Sequence, residues 1–81
     1  MAKIIARLTI ILNKHDANAT HIVKVNSFVT DWNEFNMGYP LLVEWFDEQG
    51  AEYASGTAVG VTSLAAAGLV VEIDFVAYLG E

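Results

Sequence analysis

Cysteine is absent from the 81-residue sequence, which excludes disulfides, a thiolate nucleophile and any metal site built on thiolates. Cations are almost as scarce. One arginine, Arg7, and three lysines, Lys3, Lys14 and Lys24, stand against ten acidic residues, for a net charge of −6. Nucleic-acid binding needs a basic stripe that displaces counterions from phosphate, so this balance argues against an RNA or DNA partner. Long apolar runs are missing too. The stretch from Leu64 to Val71 falls far short of the roughly 20 residues that span a bilayer. The N-terminal MAKIIARLTIIL is broken by Arg7 and Thr9, with no small-residue cleavage site after it, and does not read as a signal peptide. A soluble protein without a membrane partner is expected, and the lack of cysteine fits a reducing cytoplasm.

What the chain has in abundance is apolar surface. Hydrophobic residues make up 54% of it, above the usual share for a soluble domain. A single domain spanning 1–81 buries only about 60–65% of the surface its unfolded form exposes. So much apolar surface in so little volume predicts self-association.

Ile4, Ile5, Leu8, Ile11 and Leu12 recur at helical period and predict an amphipathic helix over 3–14; the β-branched run IIARLTII leaves a strand open as the alternative. The polar stretch from His15 to Thr20 should end that helix. HIVKVNSFVT, residues 21–30, alternates as a strand, with Val23, Val25, Ser27 and Val29 on the core face and Ile22, Lys24, Asn26, Phe28 and Thr30 on the other. Asp31 followed by Glu34 resembles a capping box. Gly38 and Pro40 then suggest a short helical turn near 33–37 and a separate helix from Pro40 to about Gln49, with Leu41, Leu42, Trp45 and Phe46 buried and Gly50 just past its end. Two strands follow within Tyr53 to Leu79, joined through Ala65–Gly68. On the second, Val71, Ile73, Phe75, Ala77 and Leu79 share one face, and Val70, Glu72, Asp74, Val76 and Tyr78 the other. The order is that of an α+β layer of helices on a sheet.

Chemistry-bearing residues are few. His15 and His21 flank a predicted turn without a third ligand, so no metal site is expected. Ser55 has no His/Asp partner at a recognisable spacing. SGTAVG lacks the strand-to-helix setting of a phosphate loop. Glu72 and Asp74, two apart on one strand face, form a carboxylate pair suited to acid–base work; read simply, Glu72 pairs across a subunit interface and Asp74 is solvated. No cofactor is implied.

HIVKVNSFVTD, the aromatic pair Trp45-Phe46, TAVGVTSL and VEIDFVAYL, in that order and spacing and preceded by ANATHIVKV, resemble the Rid family of imine deaminases, the YjgF type also described as endoribonuclease L-PSP. The resemblance covers nearly the whole chain. It implies a chorismate-mutase-like α+β fold, N-terminally shortened because the family's opening hairpin has no counterpart here. It also implies a homotrimer with ligand clefts between subunits. Glu72 of VEID matches the family's glutamate that positions the hydrolytic water, which makes it the candidate catalytic residue. Ser55, Gly56, Thr57 and Ala58 match the ligand-binding segment.

The departures bear on function. The family's arginine, which grips the substrate carboxylate, falls at Gly56, and its asparagine and tyrosine on the helix fall at Tyr39 and Leu42. A guanidinium holds a 2-iminocarboxylate for attack by water, and glycine does not. The resemblance therefore implies a small-metabolite-binding protein with an inter-subunit cleft and without efficient deaminase activity. The alternatives are an active imine deaminase, a hydrolase in which other groups replace the arginine, and a truncated structural homologue without catalysis.

Overall fold

The computed structural model describes residues 1–80. Helix α1 spans Ala2–Lys14, strand β1 Ile22–Val29, helix α2 Trp32–Glu48, strand β2 Ser55–Gly60 and strand β3 Val71–Ala77. The strand order is β2-β1-β3. β1 pairs parallel with β2 and antiparallel with β3, so the sheet is mixed and β1 is its central strand. Both helices lie on one face, where Leu8 and Leu12 of α1 and Leu42 and Phe46 of α2 pack with Ile22 and Val25 of β1. The arrangement is the expected α+β layer of helices on a sheet.

Both helices stop by the same device. Past α1, Ala17 N–H donates to the Leu12 carbonyl at 2.9 Å and Asp16 N–H to that of Asn13 at 3.2 Å. Past α2, Ala51 N–H donates to Phe46 and Gly50 N–H to Asp47, at 2.9 and 3.0 Å. These paired bonds satisfy the last helical carbonyls and need one residue in the left-handed region. Gly50 supplies it without strain at φ 72°, whereas at α1 a residue with a side chain, Asp16, takes φ 54°. The chain then turns into β1 through a single 3₁₀ turn, where Asn18 accepts from Thr20 N–H and His21 Nδ1 accepts from Asn18 N–H.

Two expectations are corrected. α2 is one continuous helix, not a turn followed by a helix. Its N-terminus is held by the Asp31 carboxylate, which accepts from Asn33 and Glu34 N–H at 3.0 and 3.2 Å. Pro40 removes one helical bond, but the orphaned carbonyl belongs to Asn36 on the exposed side, where water can satisfy it. Buried Phe35 on one side of Pro40 and Leu42 and Phe46 on the other hold both halves to the sheet. Gly38 admits Met1 into close contact: a Cβ there would lie 3.1 Å from that of Met1. Leu41, expected in the core, is 47% exposed.

The second correction concerns β1. Its pairing with β3 slips between Ile22 and Lys24, so Val23 is an extra residue and the alternation shifts by one. Ile22, not Val23, enters the core at this end, and Val23 is left 50% exposed. Beyond the bulge the expected face holds, with Val25, Ser27 and Val29 buried. On β3, Ile73 and Phe75 pack towards the core and Glu72 and Asp74 are exposed, as the alternation predicts.

A cleft between the second helix and the edge strand

The sheet register places every candidate residue. Gly56 pairs with Val25, Ala58 with Ser27 and Gly60 with Val29, on the helix side. Ser55 pairs with Lys24 and Thr57 with Asn26, and their side chains belong to the opposite, uncovered face. Four consecutive strand residues are thus divided between two faces. Glu72 lies on that uncovered face, opposite Phe28, with Asp74 opposite Asn26. Gly56 and Glu72 sit on the two outer strands and three positions apart along β1, a backbone separation of about 14 Å from strand spacing and rise. Within one chain Glu72 and Gly56 are not brought together.

Gly56, Thr57 and Ala58 instead border a cleft of about 360 Å³ between β2 and α2, Thr57 through the strand it belongs to and Ser55 not at all. Its floor is Val25 and Ser27 of β1, and its far wall is Phe35 and Tyr39 of α2. Tyr53 and Ala54, on the approach to β2, close one end. The small residues of β2 are what leave it open. A side chain at Gly56 would have no room on this backbone, because its Cβ would lie 2.6 Å from the Val25 carbonyl oxygen.

The aromatic wall is continuous. Trp32, Phe35 and Tyr39 stack along α2 with centroid separations of 5.6 and 5.4 Å, and Tyr53 bridges Tyr39 at 5.7 Å to Phe46 at 4.8 Å. Spacings of three and four residues put the α2 rings on one stripe. Burial pushes the Tyr53 phenol up from its ordinary range, and the neighbouring Tyr39 hydroxyl adds to the shift. Ser27 is the one buried polar side chain among the described residues, only 4% exposed, and it lines this cleft. Tyr39, Tyr53 and Ser27 were not among the expected site residues. The spacing of Trp32, Phe35 and Tyr39 at helical period is a sequence signal that could have found the first; nothing local marked the other two.

No group of three or more His, Cys, Asp or Glu side chains that could hold a metal occurs among the described residues. The His21 ring is engaged in capping. Among the described residues, no helix is long and apolar enough to cross a membrane.

Residues 1–79 match the family described as Endoribonuclease L-PSP. The chain belongs to that family. Solved structures agree with the assignment. TdcF of E. coli, crystallised with bound serine, is 26% identical with a TM-score of 0.75, over 85% of this chain and 54% of that one. A member of the YjgF/YER057c/UK114 family from Mycobacterium tuberculosis is 28% identical with a TM-score of 0.76, over 93% and 61%. A protein of unknown function from Pseudomonas aeruginosa is 27% identical with a TM-score of 0.79, over 93% and 52%. Among curated proteins none matches. The present L-PSP family chain therefore spans about half the length of the first of these structures. Its two helices and three strands are the part of the YjgF/Rid fold that those structures share with it.

Proposed function

We propose that this L-PSP family member binds a small metabolite in an inter-subunit cleft built on β2 and does not deaminate 2-iminocarboxylates efficiently. The observation that carries the reading is Gly56. The position where the resemblance expects a carboxylate-gripping arginine has no side chain, and the Val25 carbonyl leaves no room for one. Losing a charge-assisted bidentate contact in the transition state lowers the rate by about a hundredfold or more. The bound serine in TdcF supports a small polar molecule as the class of ligand. Cleavage of RNA forms no part of the proposal, since a chain of net charge −6 offers phosphate no basic surface.

Homotrimeric assembly in the cytoplasm, without a cofactor, completes the reading. Support for association comes from the sheet face that the helices leave uncovered. Val59, Val76 and Tyr78 there are 40%, 49% and 62% exposed, an apolar surface of the kind that subunits cover. Assembly would also resolve the position of Glu72. Too far from Gly56 in its own chain, it can serve a cleft only across an interface.

Hydrolysis of a 2-iminoacid generated in situ tests the catalytic half of the proposal, and light scattering on the eluting species tests the trimer. No acceleration over buffer, with a mass of three chains, is expected. Turnover that disappears in Glu72→Ala would overturn the reading in favour of the second, an active deaminase, which the retained Glu72 specifically favours.

A further inference from the structure

We infer that the cleft between α2 and β2 selects uncharged, planar, hydrogen-bonding molecules, with carboxamides accepted and the matching carboxylates rejected. The inference rests on the reading of the metabolite site as an inter-subunit cleft built on β2 and concerns the part of that site that one chain supplies. Among the described residues, none that one chain contributes to the cleft lining carries a charge, and a Glu72 brought to it across an interface would add negative charge only. Of the four basic residues, Lys24 pairs with Ser55 with its side chain assigned to the opposite face of the sheet, and Arg7 is exposed on α1. An anion placed against these walls would lose water without gaining a counter-charge, which is strongly unfavourable.

What the cleft does offer is matched to an amide. Ser27, Tyr39 and Tyr53 bring three hydroxyls to it; Tyr39 and Tyr53 are hydrogen-bonded to each other, which leaves the pair one O–H to donate and lone pairs to accept. β2 pairs with β1 on one side only. Its outer edge therefore presents backbone N–H and C=O groups in alternation, a pattern complementary to a group that carries both a donor and an acceptor. A carboxamide has that pair. A carboxylate has acceptors alone and would face the edge carbonyls with like polarity. Phe35, Tyr39 and Tyr53 supply ring faces and edges for a flat molecule, and about 360 Å³ accommodates a single small ring with its substituent.

The test uses matched pairs of probes that differ in charge and little else: nicotinamide against nicotinate, and benzamide against benzoate. Each is titrated into the full chain, in whatever assembly it forms, and followed by the amide resonances of Val25–Ser27 and Tyr53–Ala58. The amides are expected to shift these resonances saturably, with the acids weaker by about tenfold or more. Tyr53→Phe and Ser27→Ala should each weaken the amides by about threefold to tenfold, one hydrogen bond's worth. The amide-to-acid ratio of the unaltered protein needs no variant, so a misfolded Ser27→Ala leaves the comparison intact. Acids that bind as tightly as the amides overturn the inference while leaving metabolite binding in place. If neither member of either pair moves the cleft resonances, the inference and the placement of the ligand site both fall. Deaminase turnover in the separate iminoacid assay would instead overturn the proposed function alone.

Discussion

Gly56→Ala isolates the first carbon of any side chain that could restore the missing arginine. That carbon would stand 2.6 Å from the Val25 carbonyl oxygen, about 0.8 Å inside the 3.4 Å where ordinary contact begins. The neighbour is backbone of the central strand, so it cannot turn aside as a side chain would. Relief requires β1 and β2 to separate locally. Overpacking of this kind costs about 1–3 kcal/mol. Alanine offsets about 0.4–1 kcal/mol of that by restricting the unfolded chain. At the middle of both ranges a net loss of about 1.3 kcal/mol remains, or a fall in Tm of about 5–10 °C for a domain of this size. Circular dichroism melts at one fixed protein concentration measure it, since association makes Tm concentration-dependent. Gly60→Ala is the control. Its Cβ would meet the indole Nε1 of Trp32 at 3.2 Å, and Trp32, 44% exposed, is free to shift. A Gly56→Ala protein that melts at or above the unaltered one would refute the steric argument. With it would go the expectation that Gly56→Arg, which carries the same carbon, gains no deaminase activity.

Two further outcomes follow from the packing. The Tyr53 phenol titrates higher folded than its unfolded value of 10.0, so the stability it contributes is complete below pH 10 and is lost as pH rises above that value. Urea melts between pH 8 and 11.5 should show a decline that Tyr53→Phe flattens, and equal slopes for both proteins would count against burial of the ring. Asp16 holds φ 54° at the end of α1 with its own side chain in place; Asp16→Gly should raise stability by about 0.5–1 kcal/mol, read from the shift in urea midpoint, and a loss would show that its carboxylate serves the turn.

The sequence made the architecture legible wherever periodicity ran unbroken. The α1 stripe led to Leu8 and Leu12, and the alternation of β3 separated Ile73 and Phe75 from Glu72 and Asp74. Gly50 announced the end of α2 because only one conformation there satisfies the last carbonyls. The misreadings share a cause in tertiary context. Pro40 looks like a boundary locally, but helix packing on both sides of it outweighs one lost hydrogen bond. The bulge at Val23 has no signature in residue type, since Ile22 and Val23 are equally apt for a core. Alternation sends the side chains of Ser55 and Thr57 to the sheet face opposite Gly56 and Ala58, yet Thr57 still borders the same cleft. The pairing of Tyr39 with Tyr53 over Ser27 joins three separate elements, and no local pattern reports it.

The central position of β1 sets the order in which the molecule opens. Every strand-to-strand hydrogen bond in the sheet has β1 on one side, and Val25 and Val29 within it are among the most deeply buried side chains. β2 and β3 can each peel away while the other stays docked, but β1 cannot leave without dissolving the sheet. Amide hydrogen exchange should therefore be graded from the outside inward. The outer edges of β2 and β3 exchange through local fraying, and the β1 amides wait for unfolding of the whole domain. The cleft sits on β2, among the first backbone to loosen, so a ligand that enters it should reveal itself as slowed exchange along Ser55–Gly60 before any change is seen in β1.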